Sequence, residues 1–437
     1  MPSLSQSQFI RLKREQKRTD ESKQGNPGNC LETLLIKELA DLPPDVFPDL
    51  PDLPPKLQKL LFNCHATENR SLDKIAGELS EEFVAAIVAD CSKISGVPVS
   101  NKLLEYAGDL VVDYVVRRWC EHVAKTALDH ASMASLLTRN SFMAHLAFHM
   151  GLLEHPFLSF EPSDALAVWI WKQTPESRSR EPPKVIANLF EALMGAMWLR
   201  HGLTAVYDWF EPVLEALYRH AQNDAHATDQ SQLPPYAQDD WKNGKDADSV
   251  CFMRDFAVER SVALQDNGAP LRTPFHTAGF MPFSKKQGLG APFAHKLSCG
   301  EAFLKLALFA AFMRTRYYLY FHEDGEKVAN YMTGLLRLVF SPAVLGAFAF
   351  ELKLHDFFVK DSEKCVPNDW MLCQAMICAC GYFEENNDHQ LSQLEPFFEI
   401  VVLGANAILG WKDFHGDYSN MQLIFRTPRF SYGALHV

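Results

Sequence analysis

Two short stretches place oxygen-bearing side chains at helical spacing. In 104–116, LEYAGDLVVDYVV, Glu105 and Asp109 stand one turn apart and Asp113 one turn further, so a helix would project these carboxylates from one face. Like charges at that spacing repel, and a helix tolerates the repulsion best when water or a cation lies among them. In 187–199, ANLFEALMGAMWL, Asn188 and Glu191 also share a face, while Leu189, Leu193 and Met197 point elsewhere. Two such helices side by side would offer Glu105, Asp109, Asn188 and Glu191 to a hard divalent cation, a donor set suited to hydrolysis by activated water. Spacing alone leaves two readings open, a metal site and a solvated acidic face.

Other constellations carry less. His145 and His149 have i, i+4 spacing but no HExxH glutamate between them, and on an apolar helix they read as core or rim histidines. Gly288 and Gly290 in KKQGLGAP, 285–292, lack the strand and the GK[ST] of a phosphate loop and read as a plain loop. The 10 cysteines form no CxxC pair. Cys373, Cys378 and Cys380 fall inside an apolar helical pattern, which predicts buried free thiols in a reducing compartment rather than a zinc site.

The elements that would position these groups are helices. Periodicity predicts them over 104–123, 133–153, 184–199 and 203–219, then again over 296–321, 328–357, 368–383 and 391–409, with almost no strand-like alternation. The polar stretch between the two sets reads as a linker, and the Pro-rich LPPDVFPDLPDLPP at 42–55 cannot be helical throughout. The expected division is a polar tail over 1–45, one all-α domain over 46–219, a linker over 220–255 and a second all-α domain over 256–437. Hydrophobic residues make up 47% of the 437 residues and the formal charge is −12, which fits a globular chain and argues against charge-driven nucleic-acid binding over the whole surface. No secretory signal is evident, and the apolar stretch 335–358 is interrupted by Arg337, Pro342, Glu351 and Lys353. An intracellular, soluble protein with no membrane partner is expected, the compartment being open among cytoplasm, nucleus and mitochondrion.

The two helical sets repeat one order of pieces. GDLVVDYVVRRW at 108–119 is matched by GEAFLKLALFAAF at 300–312, RNSFMAHLAFHMGL at 139–152 by SPAVLGAFAFELKL at 341–354, and EALMGAMWL at 191–199 by QAMICACGYF at 374–383. Three weak matches in one order suggest a divergent duplication.

LEYAGD at 104–109 resembles the ribonuclease III signature LEFLGD, and KVIANLFEALMGAMWLRHGL at 184–203 is similar to the family's second motif, K-x-x-A-D-x-x-E-A-L-I-G-A-x-Y-L-D-x-G. NSFMAHLAFHMGL at 140–152 and LPPKLQKLLFNCHATENRS at 53–71 resemble the family's intervening helix and first helix more loosely. The resemblance covers roughly 50–215 and implies an all-α fold with a metal site at Glu105, Asp109, Asn188 and Glu191. The catalytic carboxylates would be Glu105, Asp109 and Glu191, with Mg²⁺ or Mn²⁺ as cofactor and double-stranded RNA as substrate. Asn188 departs from the family's acid, and Lys102 stands where another acid is usual. In the second set the matching positions are Leu297, Glu301, Met371 and Gln374, of which only Glu301 is acidic; it reads as a partner for Lys305.

The family works as a pair of such domains, so the resemblance implies an intramolecular pseudo-dimer or a homodimer, with Tyr106 as a domain-pairing aromatic or else simple core. Three functions follow as alternatives: a metal-dependent endoribonuclease acting through the first domain, a catalytically inactive scaffold of the same fold that binds RNA, and a helical protein-interaction domain. No double-stranded-RNA-binding domain is visible after the second set.

Overall fold

A computed structural model of the chain describes residues 36–64, 101–173, 181–224, 247–272, 281–315, 325–364, 368–386 and 391–415, apart from a few positions inside these spans. Of the polar tail expected over 1–45, residues 1–35 lie outside the described residues, as does most of the expected linker; the rest of the tail corrects the expectation, since Leu39 and Leu42 are buried in the core. The fold is all-α, as the periodicity predicts. Its strands are two to four residues long: β1 (Asn63–Cys64) pairs with β2 (Ser159–Phe160), and β3 (Met281–Ser284), β4 (Gly288–Leu289), β5 (Phe358–Lys360) and β6 (Glu363–Lys364) form a small sheet in the order β4-β3-β5-β6.

Helix α1 (Pro55–Leu61) opens on a proline, where the missing N–H costs nothing. The long α2 (Asn101–Val123) buries Leu104, Val111, Tyr114, Val115 and Trp119. The single helix expected over 133–153 is two, α3 (Ala127–Leu137) and α4 (Asn140–His149). They part because Arg139 is extended and the Thr138 hydroxyl donates to the Ala134 carbonyl at 2.9 Å, closing α3 on itself. Helix α5 (Pro162–Gln173) was not anticipated. In α6 (Lys184–Asp224), Gly202 sits at φ 83°, ψ 175°, which splits the helix where the two expected segments meet.

The second set comprises α7 (Ala247–Glu259), α8 (Ser261–Asn267), α9 (Ala294–Arg314), α10 (Gly325–Val339), α11 (Pro342–Glu351), α12 (Asp369–Asn386) and α13 (Glu395–His415). Two expectations for this set need correction. Residues 247–255, expected as linker, belong to α7, whose Met253 and Phe256 are buried on α11 and α13. The pattern over 328–357 breaks between α10 and α11, because Pro342 cannot donate the hydrogen bond that would continue the helix; the axes bend by 61° there. Among the described residues one helical stretch, Leu391–Gly410, has the length and apolarity of a membrane span, and 56% of it is buried inside the protein.

The helices form one continuous apolar core. In the first set α2 packs chiefly on α6, in the second α9 packs chiefly on α12, and α2 lies directly on α9.

Candidate active site at the crossing of α2 and α6

Two glycines set the distance between α2 and α6. A Cβ on Gly108 would lie 1.6 Å from the Glu191 carbonyl oxygen, and one on Gly195 would lie 2.2 Å from the Leu104 carbonyl oxygen. Only hydrogen fits at either point, so the two backbones touch. That contact lays Glu191 against Gly108, with Glu105 and Asp109 one on either side. The crossing therefore assembles the acidic residues that the two motifs supply separately.

Their surroundings differ. Glu105 and Glu191 are buried, at 8% and 5% exposure, whereas Asp109 opens to solvent. Burial pushes the Glu191 carboxyl up to about 8, with the charges of Asp109 and Glu105 adding and Lys184 and Lys102 opposing. The protein crowded behind Asp109 raises that carboxyl to about 6, helped by Asp113 and Glu105 and opposed by Lys305 and Lys184. Water at its open face moderates the burial contribution there. These mutual effects mark one cluster of like charges, the state that a cation would relieve.

The cluster is not closed around a point. Glu105 is ion-paired with Lys102, one turn before it. Among the described residues no three His, Cys, Asp or Glu side chains stand so as to enclose a metal ion. The sequence predicts convergence; the structure gives adjacency, because Lys102 holds one carboxylate aside and Asp109 faces water. The donor chemistry nevertheless fits a hard divalent cation. Beside the three carboxylates, the Asn188 Oδ1 atom is buried with no hydrogen-bond partner, an acceptor left unused in a place where that is costly.

The model of the ribonuclease III domain matches residues 102–202, which contain the crossing of α2 and α6 and all four candidate donors. Residues 102–202 are a ribonuclease III domain. Similar proteins include Ribonuclease 3 of Wolinella succinogenes, 30% identical over 125 residues that make up 28% of this chain and 47% of that protein. Ribonuclease 3 of Campylobacter curvus is 27% identical over 150 residues, 34% of this chain and 62% of the relative. Ribonuclease 3 of Chloroflexus aggregans is 31% identical over 118 residues, 26% and 45% of the two chains. The chain spans about half the length of the curated relatives it matches.

Outside the ribonuclease III domain, α9 and α12 cross in the same manner. A Cβ on Gly300 would meet the Ile377 carbonyl oxygen at 1.9 Å, and one on Gly381 would meet the Lys296 carbonyl oxygen at 2.2 Å. Gly300 thus stands for Gly108 and Gly381 for Gly195. Counted from these glycines, Leu297 and Glu301 take the places of Glu105 and Asp109, as expected. Gln374 and Ile377, not Met371 and Gln374, take those of Asn188 and Glu191. The motif match was off by a turn because it paired Gln374 with Glu191 on chemistry, while the packing is set by Gly381. Glu301 pairs with Lys305 at 2.7 Å, the role expected of it.

Between the halves, Tyr106 faces Phe309 with ring centroids 5.5 Å apart, and Trp198 lies 5.9 Å from the same ring. The Arg117 guanidinium donates to the Ser298 hydroxyl at 2.7 Å, and Tyr114 lies 6.3 Å from Phe303. Burial, then the charge of Asp109, raises the Tyr106 phenol.

Sequence reasoning missed the approach of Lys305 to Asp109, whose field it reaches from the other half of the chain. Nothing in the local sequence could have indicated it. His145 and His149 stack among Phe148 and Trp171, as rim and core histidines do. Cys373, Cys378 and Cys380 are free and buried, and burial pushes the Cys373 and Cys378 thiols up to about 12, leaving them inert.

Proposed function

We propose that the chain is an endoribonuclease that hydrolyses phosphodiesters of double-stranded RNA through the ribonuclease III domain. The observation that carries this reading is the glycine crossing that sets Glu191 and Asn188 against Glu105 and Asp109 within the matched residues. Glu105, Asp109 and Glu191 would hold Mg²⁺ or Mn²⁺, with the unpartnered amide oxygen of Asn188 as the neutral fourth donor. Bound there, the ion supplies Lewis acidity and lowers the pKa of water. The chain's own residues orient the donors: Lys102 sets aside or releases Glu105, and Lys184 and Lys305 moderate the negative charge that would otherwise repel a phosphate.

The same reading takes the second half as a divergent copy that pairs with the first inside one chain. Its support is reciprocity. Ser298 occupies the place of Tyr106 and Phe309 that of Arg117, and the contacts run Tyr106 to Phe309 and Ser298 to Arg117. Such exchange of positions is the mark of a two-fold interface. Tyr106 is then the pairing aromatic, and only the first half of the pair carries a full donor set.

The test is labelled duplex RNA incubated with Mg²⁺ or Mn²⁺. Cleavage of one strand per encounter is expected, with loss of at least about a hundredfold in Asp109→Ala; cleavage that survives Asp109→Ala would sink the assignment. One observation favours a second reading, an inactive scaffold that binds duplex RNA: the Lys102–Glu105 ion pair occupies a carboxylate the reaction needs. Binding at low salt without cleavage in either metal would select it.

A further inference from the structure

The contact between α2 and the second half is not apolar throughout. Glu384 is wholly buried; it accepts a hydrogen bond from the Tyr114 hydroxyl and faces the Arg118 guanidinium at 3.0 Å. Arg118 also faces Glu121 at 3.4 Å, and Glu121 is ion-paired with Lys296, itself 9% exposed. This chain of charges crosses the interface twice.

We infer that these buried charges select the unlike half as partner and close this face to a second copy of the chain. The inference rests on the proposed reading of the halves as copies, and it follows from replacing each partner by its counterpart. By the glycine register, Trp198 stands for Glu384, Leu104 for Lys296, Ala310 for Arg118 and Met313 for Glu121. Were two first halves to pair, Arg118 would meet Trp198 in place of a carboxylate, and Glu121 would meet Leu104 in place of an ammonium. Arg117 would also enter the aromatic slot that Phe309 fills between Tyr106 and Trp198. Were two second halves to pair, Glu384 would meet Ala310 and Lys296 would meet Met313. Both like pairings bury charges without their partners across the interface, and only the mixed pairing supplies those, which is how an interface rejects a wrong partner. The aromatic contacts alone would not discriminate so sharply, since apolar surfaces tolerate exchange.

Full-length chain in sedimentation velocity and thermal unfolding tests this without any RNA, so it stands or falls apart from the catalytic reading. The wild type is expected to remain monomeric from about 1 to 100 μM, far above the range in which a standard interface associates. Arg118→Glu and Glu384→Arg should each lower the thermal midpoint by about 10 °C. Combined in one chain they should recover most of that loss. Additive losses in the double variant would overturn the inference. So would a wild-type dimer that Arg118→Glu dissociates, a result that needs no recovery of fold in any second variant.

Discussion

Glu191 is the residue whose environment says most. Its carboxyl titrates at about 8 in the folded chain against an ordinary 4.5, so between those values the folded state holds a proton that the unfolded state releases. Its contribution to stability is therefore complete below about pH 4.5 and is lost as pH rises through 8. In metal-free protein, Glu191→Gln should flatten the fall of thermal midpoint over that window, recovering about 2–4 °C per kcal/mol at its alkaline end. A midpoint unchanged at pH 8 would show that the like-charge cluster is not a source of instability. Two further substitutions bear on the same cluster. Asn188→Asp restores an anionic donor and Lys102→Met releases Glu105 from its ion pair; each should lower the Mn²⁺ concentration that raises the midpoint, by about tenfold. The placing of the four proposed donors on two helix faces was legible in the sequence because i, i+4 and i, i+3 spacing fixes a helix face. Lys305 was not, since its approach to Asp109 depends on how distant helices pack.

At the scale of the element, the crossing of α2 and α6 is governed by Gly108 and Gly195. Gly108→Ala would place a methyl 1.6 Å from the Glu191 carbonyl, so the helices must separate and the donors with them. A loss of about 3 kcal/mol or more is expected in urea unfolding. Gly300→Ala, 1.9 Å from the Ile377 carbonyl, should cost a similar amount while leaving the donor cluster's own crossing untouched. Any cleavage activity would then fall sharply in the first variant and far less in the second, at a temperature where both remain folded. Helices α5, α7 and α8 were not legible, whereas the long helices of both sets were, because their apolar period is strong. Breaks inside them were less so. Thr138 and Arg139 end α3 through a local side-chain bond and an extended backbone that periodicity does not register. The start of α7 was hidden for another reason: its polar surroundings blend with the stretch before it, and only the burial of Met253 and Phe256 marks it as core.

For the whole molecule, the proposed pairing makes one prediction about products. A chain with one donor cluster should leave a nicked duplex in which only one strand has been cut, and gel analysis with each strand labelled in turn would read this directly. Equal cutting of both strands by a monomeric chain would contradict the assignment of chemistry to the first half alone. The two glycine crossings follow the order of the matched pieces in the sequence, but the register of the last piece differs by a turn at Gln374, where chemical likeness and packing likeness disagree.

That second glycine crossing also says something about what is expensive to lose. Gly300 and Gly381 keep the backbones of α9 and α12 in contact where Leu297, Gln374 and Ile377 hold no metal chemistry, and all three side chains are only half-buried. On the proposed reading of the halves as copies, the architecture of a site has outlasted its reagents. Installing Leu297→Glu, Gln374→Asp and Ile377→Glu around Glu301 asks for no new backbone, and a gain of cleavage on the opposite strand would turn the proposed nicking activity into one that severs the duplex.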